Sequence, residues 1–582
     1  MVFKIADSII SPLGETTGEN YLAVKAGRAK LCRYDHHWQI PEPFTASLLT
    51  EEQNQRLKIE GLTRFEAMAY HSIVGALRQT NLDVKAKNVV LILSTTKGNI
   101  ELLAEQPADK SPIYPGTAAQ HIADKLGITT TPITVCNACI SGVSAIILAL
   151  RLLEAQCYDY AIVCGADTQN PFTISGFQSL KAVSDEACKP FDLERTGLNL
   201  GEAAATLVLA REPHQDKGWA IKRGAVRNDA FHISSPSKNG EGARLALAAI
   251  TEGEAAEGLA FINAHGTATM FNDQMESVAI ERAGLNETPV NAYKGYFGHT
   301  LGAAGVLETI LSMAAADDHT ILGTRGFEER GVSGKIKLSN QNAATNGQQF
   351  IKMISGFGGC NGAIIGVNSE RVNSERVNSE RVNSERVNSE RVNSERVNSE
   401  KLMTHTVEIT PKAVMVDGKQ MACEGEGKAL LTDLYKRYID NYPKFYKMDP
   451  LCRLGFVASE LLLQAEGDRR DTPRDDRAII LFNRSSSIQA DEAYQASIQD
   501  AEDYFPSPAA FVYTLPNIVT GEIAIRNHYQ GETSFYILPE RNDQLMQQIL
   551  KASLGDKTTK SILGGWIDYE NDKNFVAKVF VK

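Results

Sequence analysis

The chain of 582 residues is 43% hydrophobic, 23% charged and 7% aromatic, about four domains' worth of ordinary globular sequence and too balanced for a disordered or fibrous chain. Its 60 Lys and Arg against 71 Asp and Glu leave a formal charge of -11, which removes any general electrostatic reason to hold nucleic acid or an anionic membrane. Nine cysteines scattered from Cys32 to Cys452 are odd in number and unlike a secreted disulfide framework, so a reduced, cytoplasmic protein is expected.

The N-terminus, Met-Val-Phe-Lys-Ile-Ala-Asp-Ser, has no basic region followed by an apolar run and a cleavage site, and no window is apolar enough for a membrane span. Further along, Val89–Leu93, Ile133–Val135, Tyr160–Val163 and Ala205–Leu209 read as buried strands, while residues 142–155 and 302–315 have helical spacing. Alternation of this kind over residues 1–366 predicts an α/β sheet layered with helices.

Chemistry first shows at Thr134-Val-Cys-Asn-Ala-Cys-Ile-Ser-Gly-Val-Ser-Ala145. A strand stops, small residues turn, and a helix begins beside Cys139, where the helix N-terminus is expected to stabilise a thiolate. A buried structural cysteine is the plain alternative, and Cys136-Asn-Ala-Cys139 also has the spacing of a redox pair or half a zinc site. No second C-x-x-C exists to complete four-sulfur coordination, so no metal is assigned.

Two later segments decide between these. Asn263-Ala-His-Gly-Thr-Ala-Thr269, followed by Asn272, Asp273 and Glu276, puts His265 in a small-residue turn after an apolar strand. Lys294-Gly-Tyr-Phe-Gly-His-Thr-Leu-Gly-Ala-Ala-Gly-Val-Leu-Glu308 puts His299 just before a helix. With Cys139, Lys189-Pro-Phe-Asp192, Arg195, Gly201-Glu202 and Ser355-Gly-Phe-Gly-Gly-Cys-Asn361, the first block resembles the elongating β-ketoacyl synthases. The resemblance implies a thiolase-like α/β/α/β/α fold, duplicated, with no cofactor. It makes Cys139 the nucleophile that takes an acyl group from an acyl carrier protein, and it places the Cys139 and Phe357 N–H groups in the oxyanion hole. His265 and His299 would bind the malonyl thioester and stabilise the enolate left by decarboxylation, with Lys294 and Glu308 orienting them, Thr267 and Thr269 supporting, and Phe357 gating the nucleophile. The second glycine usual in the His-Gly-Thr-Gly-Thr turn is Ala268 here, and Gly201-Glu-Ala-Ala-Ala205 lacks a later glycine common in the family.

From Val367 to Lys401 the sequence is Val-Asn-Ser-Glu-Arg repeated and closed by Val-Asn-Ser-Glu-Lys. A period of five gathers the valines on neither a helix face nor a strand face, so residues 367–402 are expected to be a flexible linker, natural or engineered. Residues 403–582 then look like a half-length thiolase-like α/β domain. Arg477–Asn483 parallels 88–94, and 562–565 parallels 162–165. Matching Ala509-Ala510 with Ala118-Ala119 carries Cys139 onto Gln530, and matching Gly531 with Gly142 carries it onto His528; neither choice offers a cysteine. The block resembles a shortened chain-length factor expected to pair with the first block edge to edge and set pocket depth. The product would be a 3-oxoacyl carrier in fatty acid, polyene or type II polyketide synthesis. The competing reading is a malonyl-carrier decarboxylase that primes another synthase, and a redox protein using Cys136 and Cys139 is more distant.

Overall fold

The computed structural model describes residues 1–214, 218–253, 258–368, 405–467, 472–500 and 504–582. Three five-stranded sets recur along the chain. The first is Val2–Ile10, Val89–Ser94, Ile133–Val135, Tyr160–Asp167 and Ala203–Ala210; the second is Trp219–Asn228, Leu259–Asn263, Pro289–Asn291, Gln349–Gly356 and Cys360–Asn368. The third is His405–Thr410, Arg477–Asn483, Thr533–Ile537, Ser561–Asn571 and Asn574–Val581. Each set has the spatial order third, second, fourth, fifth, first, with strands two to four parallel and the last two antiparallel. The first block is therefore a duplication, and the second block is one further copy of the repeat.

The parallel strands are apolar on both faces because both faces are covered. Val89–Ser94 is buried at every position, as a sheet between two helical layers requires. The covering helices differ by layer. In helix Ser141–Glu154 every residue from Ser141 to Leu153 is buried, so it has no solvent face. It packs with helix Ala304–Asp317 between the strands of the first two sets, while Arg64–Leu77 and Glu241–Thr251 lie outside. This is the five-layer α/β/α/β/α arrangement. Gly142 and Gly305 make the central contact: a Cβ on Gly305 would lie 2.4 Å from the Val143 nitrogen, so neither position has room for a side chain.

Strand Cys360–Asn368 takes in Val367 and Asn368, so the first two residues of the repeat complete the second set rather than start a linker. The rest of the expected linker lies outside the described residues.

The two blocks share one sheet. Strand Ile133–Val135 pairs antiparallel with Thr533–Ile537, with Val135 opposite Tyr536 and Thr134 opposite Ile537. That is the register a strand makes with its own two-fold copy when Thr134 corresponds to Tyr536 and Val135 to Ile537. Counting on from this pair brings Ser141, the first residue of its helix, onto Asp543, the first residue of helix Asp543–Ser553. Cys139 then corresponds to Arg541. The expectation of Gln530 or His528 at that position is corrected: both lie in the loop that precedes strand Thr533–Ile537, at its opposite end. The parallel drawn for 562–565 is also two residues out, since the ladder pairs Leu93 with Cys164 and the corresponding Phe482 with Trp566. Arg477–Asn483 does correspond to 88–94.

Candidate active site

Cys139 sits in the 3-10 turn Ala138–Ile140 that links its strand to helix Ser141–Glu154. Ala138 is held left-handed at φ 48°, a conformation that costs an L-residue about 1–2 kcal/mol and turns the chain sharply. The four residues of the C-x-x-C part company there. Cys136 packs in the apolar cluster built largely by the second block, whereas Cys139 lines a cavity of about 360 Å³ together with His265, Thr267, Thr269, His299 and Phe357. Both thiols are free.

His265 and His299 come from the second repeat. Their rings meet edge to face with centroids 4.9 Å apart, and Cys139 Sγ and one nitrogen of each ring all lie within 4.8 Å of one another. The turn carrying His265 is held by two buried carboxylates. Glu276 accepts the His265 and Gly266 N–H groups at 2.7 and 2.8 Å, and Asp273 accepts those of Thr267 and Ala268 at 3.0 and 3.1 Å. Burial, with Asp273 adding to it, pushes the Glu276 carboxyl up to about 7. Thr267 and Thr269 join their hydroxyls at 2.8 Å beside the cavity.

Behind the histidines stands a buried charge cluster. Lys294 Nζ donates to the His265 carbonyl at 2.7 Å and to Glu308 Oε1 at 2.8 Å. Lys352 donates to Glu308 Oε2 and, at 3.2 Å, to the Ala264 carbonyl. Burial works against the Glu308 carboxylate, but the two ammonium groups outweigh it and hold the group below its ordinary range. Burial lowers Lys352 to about 8. Both imidazoles are held well below their ordinary 6.5, first by burial and then by Lys294. They are neutral at physiological pH.

Neutral rings have one donor each, and the structure indicates where one lies. His299 Nδ1 accepts the Leu301 N–H at 3.2 Å, which places the ring proton on Nε2. His299 Nε2 and His265 Nδ1 are buried with no hydrogen-bond partner among the described residues. Both residues line the cavity beside Cys139. The three donor atoms are also close enough to ligate a metal, yet Lys294 and Lys352 behind them favour an anion over a cation.

The thiol itself departs from expectation. The helix terminus is present, but burial wins and pushes Cys139 up to about 12, with Lys294 lowering it only in part. The helix terminus therefore does not outweigh burial at this thiol, and a nitrogen of each neutral imidazole lies within 4.8 Å of its Sγ. Lys352 was missed by sequence reasoning, though a lysine inside the apolar strand Gln349-Phe-Ile-Lys-Met-Ile-Ser355 is itself a sign of a buried, paired charge. Gln530 and His528 are outside this constellation.

Comparison with known proteins agrees with this geometry. Residues 51–215 match the β-ketoacyl synthase N-terminal domain and residues 220–328 its C-terminal domain. A 3-oxoacyl-[acyl-carrier-protein] synthase 2 from Vibrio cholerae is 27% identical over 398 residues, covering 61% of this chain and 96% of that protein. The ketosynthase ApeO, solved in complex with its chain length factor ApeC from Xenorhabdus doucetiae, is 26% identical with a TM-score of 0.55, over 63% of this chain and 97% of that one. The PfaC ketosynthase-chain length factor shares the fold across 100% of this chain and 78% of its own, with a TM-score of 0.74 at 13% identity. No helix among the described residues is long and apolar enough to cross a membrane. The first block thus carries the two β-ketoacyl synthase domains in order, and the chain is an acyltransferase of the 3-oxoacyl synthase class.

Proposed function

We propose that the chain carries out a decarboxylative Claisen condensation. Cys139 takes an acyl group from an acyl carrier protein; a malonyl carrier then enters, loses carbon dioxide, and its carbanion attacks the acyl-cysteine to give a 3-oxoacyl carrier. The observation that carries this reading is the convergence of Cys139 Sγ with one nitrogen of each of His265 and His299, all within 4.8 Å of one another. Two neutral imidazoles stabilise enolate charge without repelling each other as two cations would, and burial, with the Lys294 and Lys352 ammonium groups, keeps them neutral. The names of the relatives, 3-oxoacyl-[acyl-carrier-protein] synthase 2 among them, support the carrier-bound substrate.

The second block, we further infer, walls the far end of the acyl passage as a chain-length factor. Phe177 lines the cavity, stacks on Phe357 with centroids 6.0 Å apart, and meets Phe511 of the second block at 5.3 Å. Phe511 fills the space over Gly176, where a Cβ would lie 2.1 Å from its ring. Incubating the protein with acyl and malonyl carriers and weighing the products tests both statements. Phe511→Ala is expected to lengthen the product distribution while Cys139 still loads. An unchanged distribution with an intact fold would end the chain-length role, and absence of any elongated product would end the condensation.

A further inference from the structure

The second block reaches the surroundings of the nucleophile from two sides. On one, Cys136 N–H donates to the Phe535 carbonyl at 3.1 Å and Phe535 N–H donates to Asn137 Oδ1 at 2.8 Å. On the other lies the glycine loop 356–359, so close to the Cys139 backbone that a Cβ on Gly356 would sit 3.2 Å from the Cys139 nitrogen. Three carbonyls of that loop are individually held. Gly358 accepts from Asn228 Nδ2 at 2.8 Å and Gly359 from Asp229 N–H at 2.8 Å, both within the first block. Phe357 accepts from Asn517 Nδ2 at 2.8 Å, across the interface, and from Cys360 Sγ at 3.2 Å.

Asn517 directly precedes helix Ile518–Asn527 but does not cap it; its backbone is helical and its side chain makes no cap bond. It is 1% exposed, and its Oδ1 has no partner among the described residues. A buried amide with half its bonding capacity unused needs a reason, and the bond to Phe357 is the one its Nδ2 makes at 2.8 Å. The backbone around it is fitted to the contact. Gly358 is left-handed at φ +89°, a Cβ on it would lie 2.8 Å from Asn517 Nδ2, and a Cβ on Gly521 would lie 2.7 Å from the Gly358 oxygen. The helix therefore lies flush on the loop.

We propose that Asn517 is a positioning residue for the reaction at Cys139, fixing from the second block the Phe357 backbone and, through it, the aromatic ring beside the thiol. This rests on the reading of Cys139 as the acylated residue, and it gives the second block a share in loading as well as in pocket shape. The bond is specific in kind: a donor must face the Phe357 oxygen. Asn517→Asp keeps the shape and removes the donor when ionised, since a carboxylate accepts only, and restores it when protonated.

The test uses the full chain, loaded with an acyl carrier between about pH 5.5 and pH 8.5 and followed by intact mass. N517D is expected to load about 10- to 100-fold more slowly than wild type at the alkaline end, mainly in kcat, and to recover as pH falls. N517A is expected to be slow at every pH. The titratable group facing the amide is Cys360, with Sγ 3.8 Å from Nδ2; burial raises its thiol well above the ordinary range, so it does not titrate here. A packing role alone would leave the isosteric N517D unaffected by pH. Iodoacetamide alkylation of Cys139 is read in parallel, because it reports the loop without requiring any thioester. Altered alkylation in a chain whose wild type loads no acyl group would sink the synthase reading and keep the positioning role. Loading and alkylation within twofold of wild type in N517D and N517A, with unchanged melting, would overturn the proposal; if N517D does not fold, N517A carries the same threshold.

Discussion

The same strand, turn and helix occur twice across the pseudo-two-fold axis, once as Cys136-Asn-Ala-Cys-Ile140 and once as Leu538-Pro-Glu-Arg-Asn542. In the first copy the turn is closed over by the second repeat, which supplies two histidines, two lysines and the glycine loop. In the second copy the turn is not covered in this way among the described residues. Arg541 is exposed and bonded to Asp543 at 2.8 Å, and Asn542 caps the helix through Leu545 N–H. The strand-to-helix turn alone is therefore a scaffold. Chemistry comes only where a second layer buries it and brings in neutral, unpaired nitrogens.

The largest effect that would break this contrast is at the turns themselves. Cys139→Ala is expected to abolish acyl loading and condensation, by at least about 1,000-fold, while malonyl decarboxylation persists at the remaining histidines. Arg541→Cys, the reciprocal change, is expected to gain a thiol that iodoacetamide modifies but no acyl carrier loads. Intact mass distinguishes the two, and acylation of the C139A/R541C double variant would show that the second layer is dispensable.

Next are the histidines. His265→Ala or His299→Ala should leave acylation measurable and lower decarboxylative turnover about 100- to 10,000-fold. The same residues give a pH signature. Both are depressed in the folded state, so the unfolded chain binds protons first. The stability they contribute is complete above the ordinary value of 6.5 and is lost as pH falls below it, by about 1.4 kcal/mol per pH unit for each ring. His299→Ala should lose one ring's share of this slope, so the gap between its denaturant midpoint and that of wild type should change with pH below 6.5, a comparison in which the opposite slope of the raised Glu276 carboxyl cancels.

The interface offers a third comparison. Lys97 of the first block, fully buried, donates to Asp491 Oδ1 at 2.7 Å and to the Thr514 carbonyl of the second. Arg227 makes a two-bond pair with Asp556 at 2.9 and 3.0 Å, and Arg151 donates to Glu532 at 2.6 Å. Removing one member of such a pair strands the other without water. Lys97→Met or Asp491→Leu alone should cost about 3–5 kcal/mol, whereas the double variant should return close to the wild-type midpoint. Additive losses would show that the two side chains act independently.

These pairs, like Lys352, were not legible in the sequence, because a charge declares its partner only once the fold brings them together. What was legible was local: Cys139, His265 and His299 each stand at a strand-to-helix turn, and the parallel strands betray themselves as apolar runs. The half-length likeness of residues 403–582 was also readable, down to the match of Arg477–Asn483 with 88–94. The nucleophile's counterpart was not. Ala509-Ala510 lies in the short helix Pro508–Tyr513, whereas the helix that corresponds to Pro115–Leu126 is Ile518–Asn527, the one leading into strand Thr533–Ile537. Buried alanines mark close packing anywhere, so they could not fix a register that a ladder of hydrogen bonds fixes at once.

The smallest effect concerns the departure at Ala268. Where the family's turn has glycine, this alanine keeps the glycine's conformation: φ is 63°, the residue is fully buried, and its N–H is spent on Asp273 at 3.1 Å. The turn is thus over-determined by the Asp273 and Glu276 carboxylates, which hold four successive N–H groups and leave the chain no freedom to relax into a right-handed shape. The left-handed conformation costs an L-residue about 1–2 kcal/mol, against about 0.5–1 kcal/mol for the extra unfolded-state freedom of glycine. Ala268→Gly should therefore stabilise the protein by about 0.5–1 kcal/mol, read as a higher denaturant midpoint at unchanged slope. Because the carboxylates already fix the backbone, the placement of His265 and the rate of condensation should stay within about twofold of wild type. A destabilised A268G would mean that the alanine methyl contributes packing in the His265 turn that outweighs its backbone strain.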